Sequence, residues 1–204
     1  MSGEDALGTY RSKRNFERTA EPGGEGAEPG ERPRFVVQIH AATTTHFDFR
    51  LEAGGVLKSW SVPKGPATDP KTKRLAMPTE DHPLDYRTFE GVIPRGEYGA
   101  GPVIVWDEGT YEPLKPDFAH ALDKGHITFR LHGRKLRGDW ALTRFRTAED
   151  GEREAWLLVK ENDGHAAPRP TPDPRRARSA LSDRTLRQVE EEAGAQEGAG
   201  ERRS

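Results

Sequence analysis

The sequence contains no cysteine among its 204 residues, which excludes a disulfide scaffold, a thiolate metal site and a cysteine nucleophile. It has no apolar run near the ~20 residues that a membrane-spanning helix needs, and residues 1–33 contain no signal-peptide core. Neither sign of charge is in excess, because 32 Lys+Arg face 34 Asp+Glu, so bulk charge does not indicate a nucleic-acid-binding protein. We expect a cytoplasmic monomer that contacts no membrane.

Hydrophobic residues are scarce overall, at 32%, but they are concentrated in one part of the chain. Residues 1–33 hold almost no large apolar side chains and have the composition of a flexible arm. Residues 34–162 contain all four tryptophans and are predicted to fold as one domain. Residues 163–204 pass through alternate prolines into an Arg/Glu/Gly-rich sequence, which predicts a disordered or weakly helical polar tail.

Apolar and polar residues alternate with period two through the predicted domain, which is typical of β-strands. Eight segments show this pattern: 35–40, 46–52, 56–62, 75–80, 103–106, 127–131, 140–145 and 156–159. Short helices are predicted only over 117–123 and within 180–192. So many short strands predict a mainly β fold, a small antiparallel β-barrel or sandwich with a few short peripheral helices.

One predicted strand places four polar side chains on a single face, namely His46, Asp48, Arg50 and Glu52. His40 ends the preceding predicted strand, and a hairpin between the two would bring it close to His46 and Asp48. Two imidazoles and a carboxylate suit a divalent cation such as Mn²⁺, Fe²⁺, Co²⁺ or Zn²⁺. A half-exposed strand also commonly carries alternating charges that pair with each other, so this strand alone leaves both interpretations open.

A second polar cluster, residues 80–86, surrounds His82. A solvated turn would have the same composition, because Asp-His-Pro is ordinary turn chemistry. Arg50, Lys64 and Arg74 are cations that could face this cluster and bind phosphate. Together with a divalent ion, they describe a site at which charge neutralisation would promote phosphoryl chemistry.

The glycine-rich segment and the other histidines give no clear indication of a functional site. The glycine-rich residues 94–101 match no nucleotide-binding fingerprint, so we interpret them as a barrel corner or wide loop. The remaining histidines have no carboxylate at strand spacing, and we interpret them as surface residues: His120, His126, His132 and His165.

Several motifs occur in a fixed order along residues 10–160: YRSKRNF (10–16), TAEP (19–22), FVVQIH (35–40), HFDFRLE (46–52), LKSWSVPKGP (57–66), EDHPLDY (80–86), FEGVIP (89–94) and GEYGAG (96–101). In these motifs the chain resembles the 3′-phosphoesterase domain found at the N-terminus of bacterial DNA ligase D, which also occurs as a stand-alone protein. We expect a stand-alone member here.

The resemblance implies a compact β-barrel with the N-terminal arm folded over the site. It also implies metal-dependent trimming of DNA or primer 3′ ends, in which a terminal ribonucleoside is removed to leave a 3′-phosphate and that phosphate is then hydrolysed. The implied substrates are DNA or RNA-tipped primer-template ends in break repair by non-homologous end joining. Separate ligase, polymerase and Ku-like proteins are the implied partners.

The resemblance also implies roles for individual residues. His40, His46 and Asp48 would bind the metal, most often Mn²⁺, with Co²⁺ or Zn²⁺ as alternatives. Arg50 and His82 would hold the scissile phosphate, with Tyr86 beside it. The residues assigned to substrate or phosphate binding are Arg14, Glu21, Lys64, Arg74, Glu80 and Gln38, the last because it shares a strand face with His40.

Some positions depart from the family pattern. Asn15 stands where the family usually has Asp, which predicts a weaker 3′-phosphatase step if residue 15 orients Arg14. The loop 41–45 lacks the usual basic residue, and Ile39 replaces a common Lys.

Two alternatives remain at this point. A catalytically weakened barrel would bind nucleic acid or a partner protein. An Fe²⁺/2-oxoglutarate oxygenase would use His46 and Asp48 with a distal His82, although His82 lies unusually close in sequence for that class.

Overall fold

Antiparallel strands make up most of the folded chain, which a computed structural model describes over residues 6–149 and 151–200. The strands are β1 (Arg34–Ala41), β2 (Thr45–Ala53), β3 (Val56–Val62), β4 (Arg74–His82), β5 (Gly91–Ile93), β6 (Gly101–Pro113), β7 (His126–Gly133), β8 (Arg137–Arg146) and β9 (Ala155–Lys160). The helices are α1 (Gly8–Ser12), α2 (Phe118–Lys124) and α3 (Leu186–Gly200), with a 3₁₀ turn over Leu84–Thr88.

Eight of the strands close into a barrel. Their order is β1-β2-β3-β4-β9-β8-β7-β6, and β6 pairs back onto β1 to complete the ring. The three-residue strand β5 adds to the outside of β6. The predicted β-barrel is therefore confirmed, and each of the eight predicted segments lies in a strand. The sequence pattern missed β5, which is too short to show alternation.

Strand alternation separates two apolar clusters on opposite faces of the barrel wall. Phe47, Phe49 and Leu51 of β2 point into the large cluster that fills the barrel. The other face is covered by a smaller cluster that includes Tyr10 of the N-terminal arm and Tyr86 of the 3₁₀ turn. Asp48 and Arg50 of β2 lie on this second face and are buried there, whereas His46 is half-buried.

The C-terminal segment packs against the barrel, which differs from the predicted polar tail. Ala177, Leu186 and Val189 are buried and belong to the interior cluster. The backbone amide of Ala180 donates to the carbonyl of Val105 in β6 at 2.8 Å. Leu186 and Val189 are three residues apart and therefore share one face of α3, an apolar stripe too narrow to stand out in a charged sequence. No helix in the described ranges has the length and apolarity needed to cross a bilayer.

Candidate active site

The β1–β2 hairpin brings two histidines and an aspartate together. His40 lies directly opposite His46, and Gln38 lies opposite Asp48. His46 Nε2 is 3.3 Å from Asp48 Oδ1, and His40 Nδ1 is 3.8 Å from Asp48 Oδ2. One donor atom from each of the three residues lies within 4.8 Å of the others, as the sequence predicted.

Backbone carbonyls orient both imidazoles. His40 Nε2 is 2.5 Å from the carbonyl oxygen of Gly99, and His46 Nδ1 is 3.0 Å from that of Thr44. Because a carbonyl only accepts hydrogen bonds, each of these ring nitrogens carries the proton. In the neutral imidazole, the other nitrogen of each ring faces Asp48 and carries the lone pair that a metal ion would take, whereas a proton on that nitrogen of His46 would bond to Asp48. Neutral imidazoles held by outer hydrogen bonds, together with a carboxylate, fit a divalent metal ion.

Charges around the cluster keep Asp48 ionised. Burial alone would raise the pKa of its carboxyl, but the Arg50 guanidinium and the two imidazoles outweigh burial and hold that pKa far below its ordinary value. Burial lowers the pKa of His40, despite the opposing effect of Asp48. Burial also acts against protonation of His46, but there the hydrogen bond and charge of Asp48 dominate and raise the pKa. A metal ion would therefore compete with a proton mainly at His46.

Arg50 is buried next to this cluster and is held on three sides. Its Nε donates to Gln38 Oε1 at 2.8 Å, its Nη1 donates to Ser59 Oγ at 2.8 Å, and its Nη2 lies 3.4 Å from Asp48. Gln38 is 0% exposed, and its amide nitrogen donates to the carbonyls of Tyr86 and Phe89. The assignment of Gln38 to phosphate binding is corrected accordingly: its amide hydrogens are used by the backbone, and it positions Arg50.

An irregularity in β4 brings further polar residues to the same cavity. Leu57 pairs with His82 and Ser59 with Thr79, so β4 has one residue more than β3 between these pairs. Such a bulge re-aims side chains relative to strict alternation. As a result Thr79, Glu80 and His82 all line a cavity of about 450 Å³ with the metal-ligand candidates, Arg14, Arg50 and Tyr86.

His82 is neutral in this environment. Burial lowers its pKa well below the ordinary value, and the positive charges of Arg50 and Arg14 act in the same direction. Its Nδ1 donates to the backbone carbonyl of Glu80 at 2.9 Å. Its Nε2 is therefore the unprotonated ring nitrogen, and it lies 3.5 Å from Arg14 Nη2.

The N-terminal arm supplies Arg14, which is paired with two carboxylates. Arg14 Nε donates to Glu21 Oε2 at 2.8 Å, and Nη1 lies 3.3 Å from Glu80 Oε1. Burial acts to raise the pKa of Glu80, but a bond from its own backbone amide and the charges of Lys13 and Arg14 lower it overall. Glu80 therefore stays ionised and fixes the cations at the rim.

Glu21 is a shared anchor behind the cavity. Besides Arg14, it accepts hydrogen bonds from the Tyr86 hydroxyl at 2.9 Å and from Thr19 Oγ1 at 3.0 Å. Burial raises the pKa of Tyr86 well above its ordinary value, and the Glu21 charge adds to the effect, so the phenol remains a donor. The Tyr86 ring packs edge-on against His82 with centroids 4.7 Å apart. Glu21 and Tyr86 thus orient Arg14 and His82.

Asn15 does not hold Arg14. Its side chain is exposed, and its Oδ1 accepts from the backbone amide of Glu17 at 3.1 Å. The predicted contact between residue 15 and Arg14 is therefore wrong for Asn15, because Glu21 pairs with Arg14, whereas the effect of residue 15 on the second reaction step stays a prediction.

Lys64 and Arg74 are not brought to the cavity, in contrast to the sequence-based assignment. Lys64 is exposed just beyond the end of β3. Arg74 begins β4, about 20 Å along the strand from Glu80, and its Nη2 donates to Thr171 in the C-terminal segment at 3.2 Å.

The sequence analysis did not assign Lys13 and Ser59. Lys13 pairs with Glu80 at 3.2 Å, and Ser59 accepts from Arg50. Both occur inside the motifs given above. Lys13 directly precedes Arg14, and that position was the available signal for it. Ser59 lies opposite Arg50 in the β2–β3 pairing, which the motif by itself does not specify.

The sequence is similar to known proteins of one family. Residues 38–144 match the family model of the DNA ligase D 3′-phosphoesterase domain. The chain is 49% identical over 190 residues to the multifunctional non-homologous end joining protein LigD of Pseudomonas aeruginosa, which covers 91% of this chain and 22% of that protein. It is 48% identical over 142 residues to the corresponding repair protein of Mycobacterium tuberculosis, covering 69% of this chain and 18% of that protein. The chain thus spans about a fifth of the length of these relatives.

Proposed function

The chain belongs to the DNA ligase D 3′-phosphoesterase family, and from that membership we propose that it is a metal-dependent phosphoesterase that processes DNA or primer 3′ ends in non-homologous end joining. The proposed reaction removes a 3′-terminal ribonucleoside to leave a 3′-phosphate, and then hydrolyses that phosphate to a 3′-hydroxyl. Its substrates would be DNA or RNA-tipped primer-template ends.

The observation that carries the proposal is the convergence of metal-ligand candidates and phosphate-binding cations in one cavity. His40, His46 and Asp48 present three donor atoms within 4.8 Å of one another. Arg50, Arg14 and the neutral His82 line the same cavity. A divalent ion bound there would polarise the phosphate and offset its negative charge. Mn²⁺ is the proposed ion, since a mixed imidazole and carboxylate set accommodates it.

Arg50 is suited to hold the phosphate in a fixed position. Three of its five N–H groups face Gln38, Ser59 and Asp48, which leaves one N–H on each of Nη1 and Nη2. Two N–H donors on one guanidinium can bind two non-bridging phosphate oxygens. Because the guanidinium is already oriented by its neighbours, substrate binding would order little additional side-chain freedom.

His82 is suited to move a proton. His82 lines the cavity, its unprotonated Nε2 lies 3.5 Å from Arg14 Nη2, and its Nδ1 hydrogen is held by the Glu80 carbonyl. In each step water forms the new bond to phosphorus, and the bond from phosphorus to the leaving oxygen breaks. His82 would accept the proton from the attacking water and return it to the departing oxygen, while Arg14 and Arg50 would stabilise the charge that develops on the phosphate oxygens.

The proposal is tested with a 5′-labelled primer-template that ends in one ribonucleotide. We expect the chain with Mn²⁺ to produce a primer shorter by one nucleoside with a 3′-phosphate, followed by a 3′-hydroxyl, both resolved by gel. With EDTA we expect no product. His46→Ala should abolish both steps and weaken Mn²⁺ binding, since it removes a ligand. His120→Ala is the matched control, because His120 is exposed on α2.

Cleavage that persists in EDTA, or parent-like turnover by His46→Ala, would contradict the metal-dependent reaction. Repeating the assay with Mn²⁺, Co²⁺, Zn²⁺ and Mg²⁺ identifies the preferred ion.

A further inference from the structure

Tyr98 is an exposed aromatic residue that has no role in the chemistry described above. Two tyrosines line the catalytic cavity, and they differ sharply: Tyr86 is 3% exposed, whereas Tyr98 is 50% exposed. Tyr98 also borders a neighbouring polar hollow of about 880 Å³, which shares Ser61, Thr79 and Glu80 with the cavity. Its ring therefore stands where the phosphate site opens towards the space that the rest of a nucleic-acid chain could occupy.

The loop that carries Tyr98 is fixed next to a metal-ligand candidate. The carbonyl of Gly99 accepts from His40 Nε2. Gly99 has φ +75°, and a Cβ there would lie 3.1 Å from His40 Cε1, so the backbone approaches the imidazole closely. Two turn hydrogen bonds, from Glu97 N to Pro94 O and from Ala100 N to Glu97 O, hold the loop before Tyr98 and around it. Tyr98 is thus one residue away from an anchored point of the site.

Two cations also hold the ring. Lys13 Nζ is 4.7 Å and Arg14 Cζ is 5.6 Å from the ring centroid. Both cations are paired with Glu80 at the cavity rim. The ring is therefore pre-oriented, although Tyr98 as a residue is still 50% exposed.

We propose that Tyr98 is a stacking platform for a nucleobase that flanks the phosphate in the cavity, and that it positions the 3′ end for cleavage. The inference rests on the proposed function. Exposed aromatic rings beside basic residues are the usual means of holding single-stranded bases, because every base presents a π-face. The base is that of the terminal nucleotide or of the one before it, which have the same stacking chemistry.

The test measures binding of a fluorescent primer-template by anisotropy in EDTA, so that affinity is recorded without turnover. Three substrates are compared: one intact, one abasic at the terminal nucleotide and one abasic at the penultimate nucleotide. Tyr98→Ala and Tyr98→Leu should raise the Kd for the intact substrate about 5- to 150-fold, whereas Tyr98→Phe should retain the parent affinity. Phe145→Ala should also retain it, since Phe145 is an exposed aromatic on β8 that does not line the cavity.

The abasic substrates locate the stacked base. When the stacked base is missing, the parent protein should bind as weakly as Tyr98→Ala binds the intact substrate. Tyr98→Ala itself should bind this abasic substrate and the intact one with the same affinity. Equal loss of affinity by Tyr98→Ala on all three substrates would assign the residue to loop shape and overturn the proposal. Unchanged affinity on the intact substrate would overturn it as well.

Turnover with Mn²⁺, measured in parallel, separates this inference from the proposed function. If the parent binds and cleaves the substrate and Tyr98→Ala keeps full affinity, the stacking role is disproved but the proposed function is not. A parent that neither binds nor cleaves disproves the end-processing function together with the stacking.

Discussion

Replacing Glu21 tests whether the arm is built into the site. The side chain of Glu21 is 0% exposed, and it accepts hydrogen bonds from Arg14, Tyr86 and Thr19. In Glu21→Ala the buried Arg14 guanidinium loses its 2.8 Å partner and the Tyr86 hydroxyl loses its acceptor. Removing one member of a buried ion pair typically destabilises a protein by about 3–5 kcal/mol. Glu80 remains 3.3 Å from Arg14 and compensates in part, so we expect about 3 kcal/mol.

The expected loss corresponds to about 6–12 °C in Tm for a chain of this size. Nucleoside removal should slow by a factor of about 10² to 10³, since Arg14 would no longer be held against the phosphate. Glu21→Gln should be less destabilising because it retains the shape and one acceptor oxygen.

Thermal unfolding by circular dichroism measures the stability, and the labelled primer-template measures the rate. Glu191→Gln is the matched control, because Glu191 forms an exposed helical pair with Arg187 that contributes at most about 0.5 kcal/mol. A Glu21→Ala protein with parent-like Tm and parent-like turnover would refute the reasoning that Glu21 anchors Arg14.

The remaining predictions concern pH, the C-terminal helix and residue 15. Burial lowers the pKa of His82 and keeps the imidazole neutral, so below pH ~6.5 the unfolded chain binds a proton that the folded chain does not. The free energy of unfolding should therefore fall as the pH falls, by at most ~1.4 kcal/mol per pH unit. In urea unfolding at pH 5, 6 and 7, His82→Gln should lessen this fall; an equal slope in both proteins would contradict the assignment. Leu186→Ala should lower the free energy of unfolding by about 2–4 kcal/mol in the same assay, because Leu186 is only 6% exposed. Leu181→Ala should change that free energy little, because Leu181 is 42% exposed. Equal effects of the two substitutions would show that α3 is not anchored by its apolar face. Asn15→Asp should leave the ratio of 3′-hydroxyl to 3′-phosphate product unchanged, since Asn15 bonds to Glu17 and lies away from the cavity; a strong rise in 3′-hydroxyl would restore residue 15 to the second step.

The local pattern of the sequence was enough to predict the barrel strands and the metal-ligand cluster. Period-two alternation is a property of each strand by itself, because successive side chains point to opposite faces. The hairpin between His40 and His46 closes over a few residues, so their opposition in β1 and β2 follows from a short loop. Both features depend on residues close together along the chain.

The tertiary structure alone decided several side-chain contacts that strand alternation does not specify. It paired Arg14 with Glu21 and Glu80, where the sequence suggested residue 15. It also buried Gln38 behind Arg50, although strand alternation alone had placed Gln38 beside the substrate.

Packing between distant segments also set the positions of side chains in β4 and α3. The bulge in β4 lets the consecutive residues Thr79 and Glu80 line the same cavity, which strict alternation does not allow and strand periodicity cannot predict. The apolar stripe of α3 is buried because the barrel offers it a surface, not because the helix is strongly apolar. Alternation and short loops are encoded locally, whereas these contacts exist only once the closed barrel brings distant segments together.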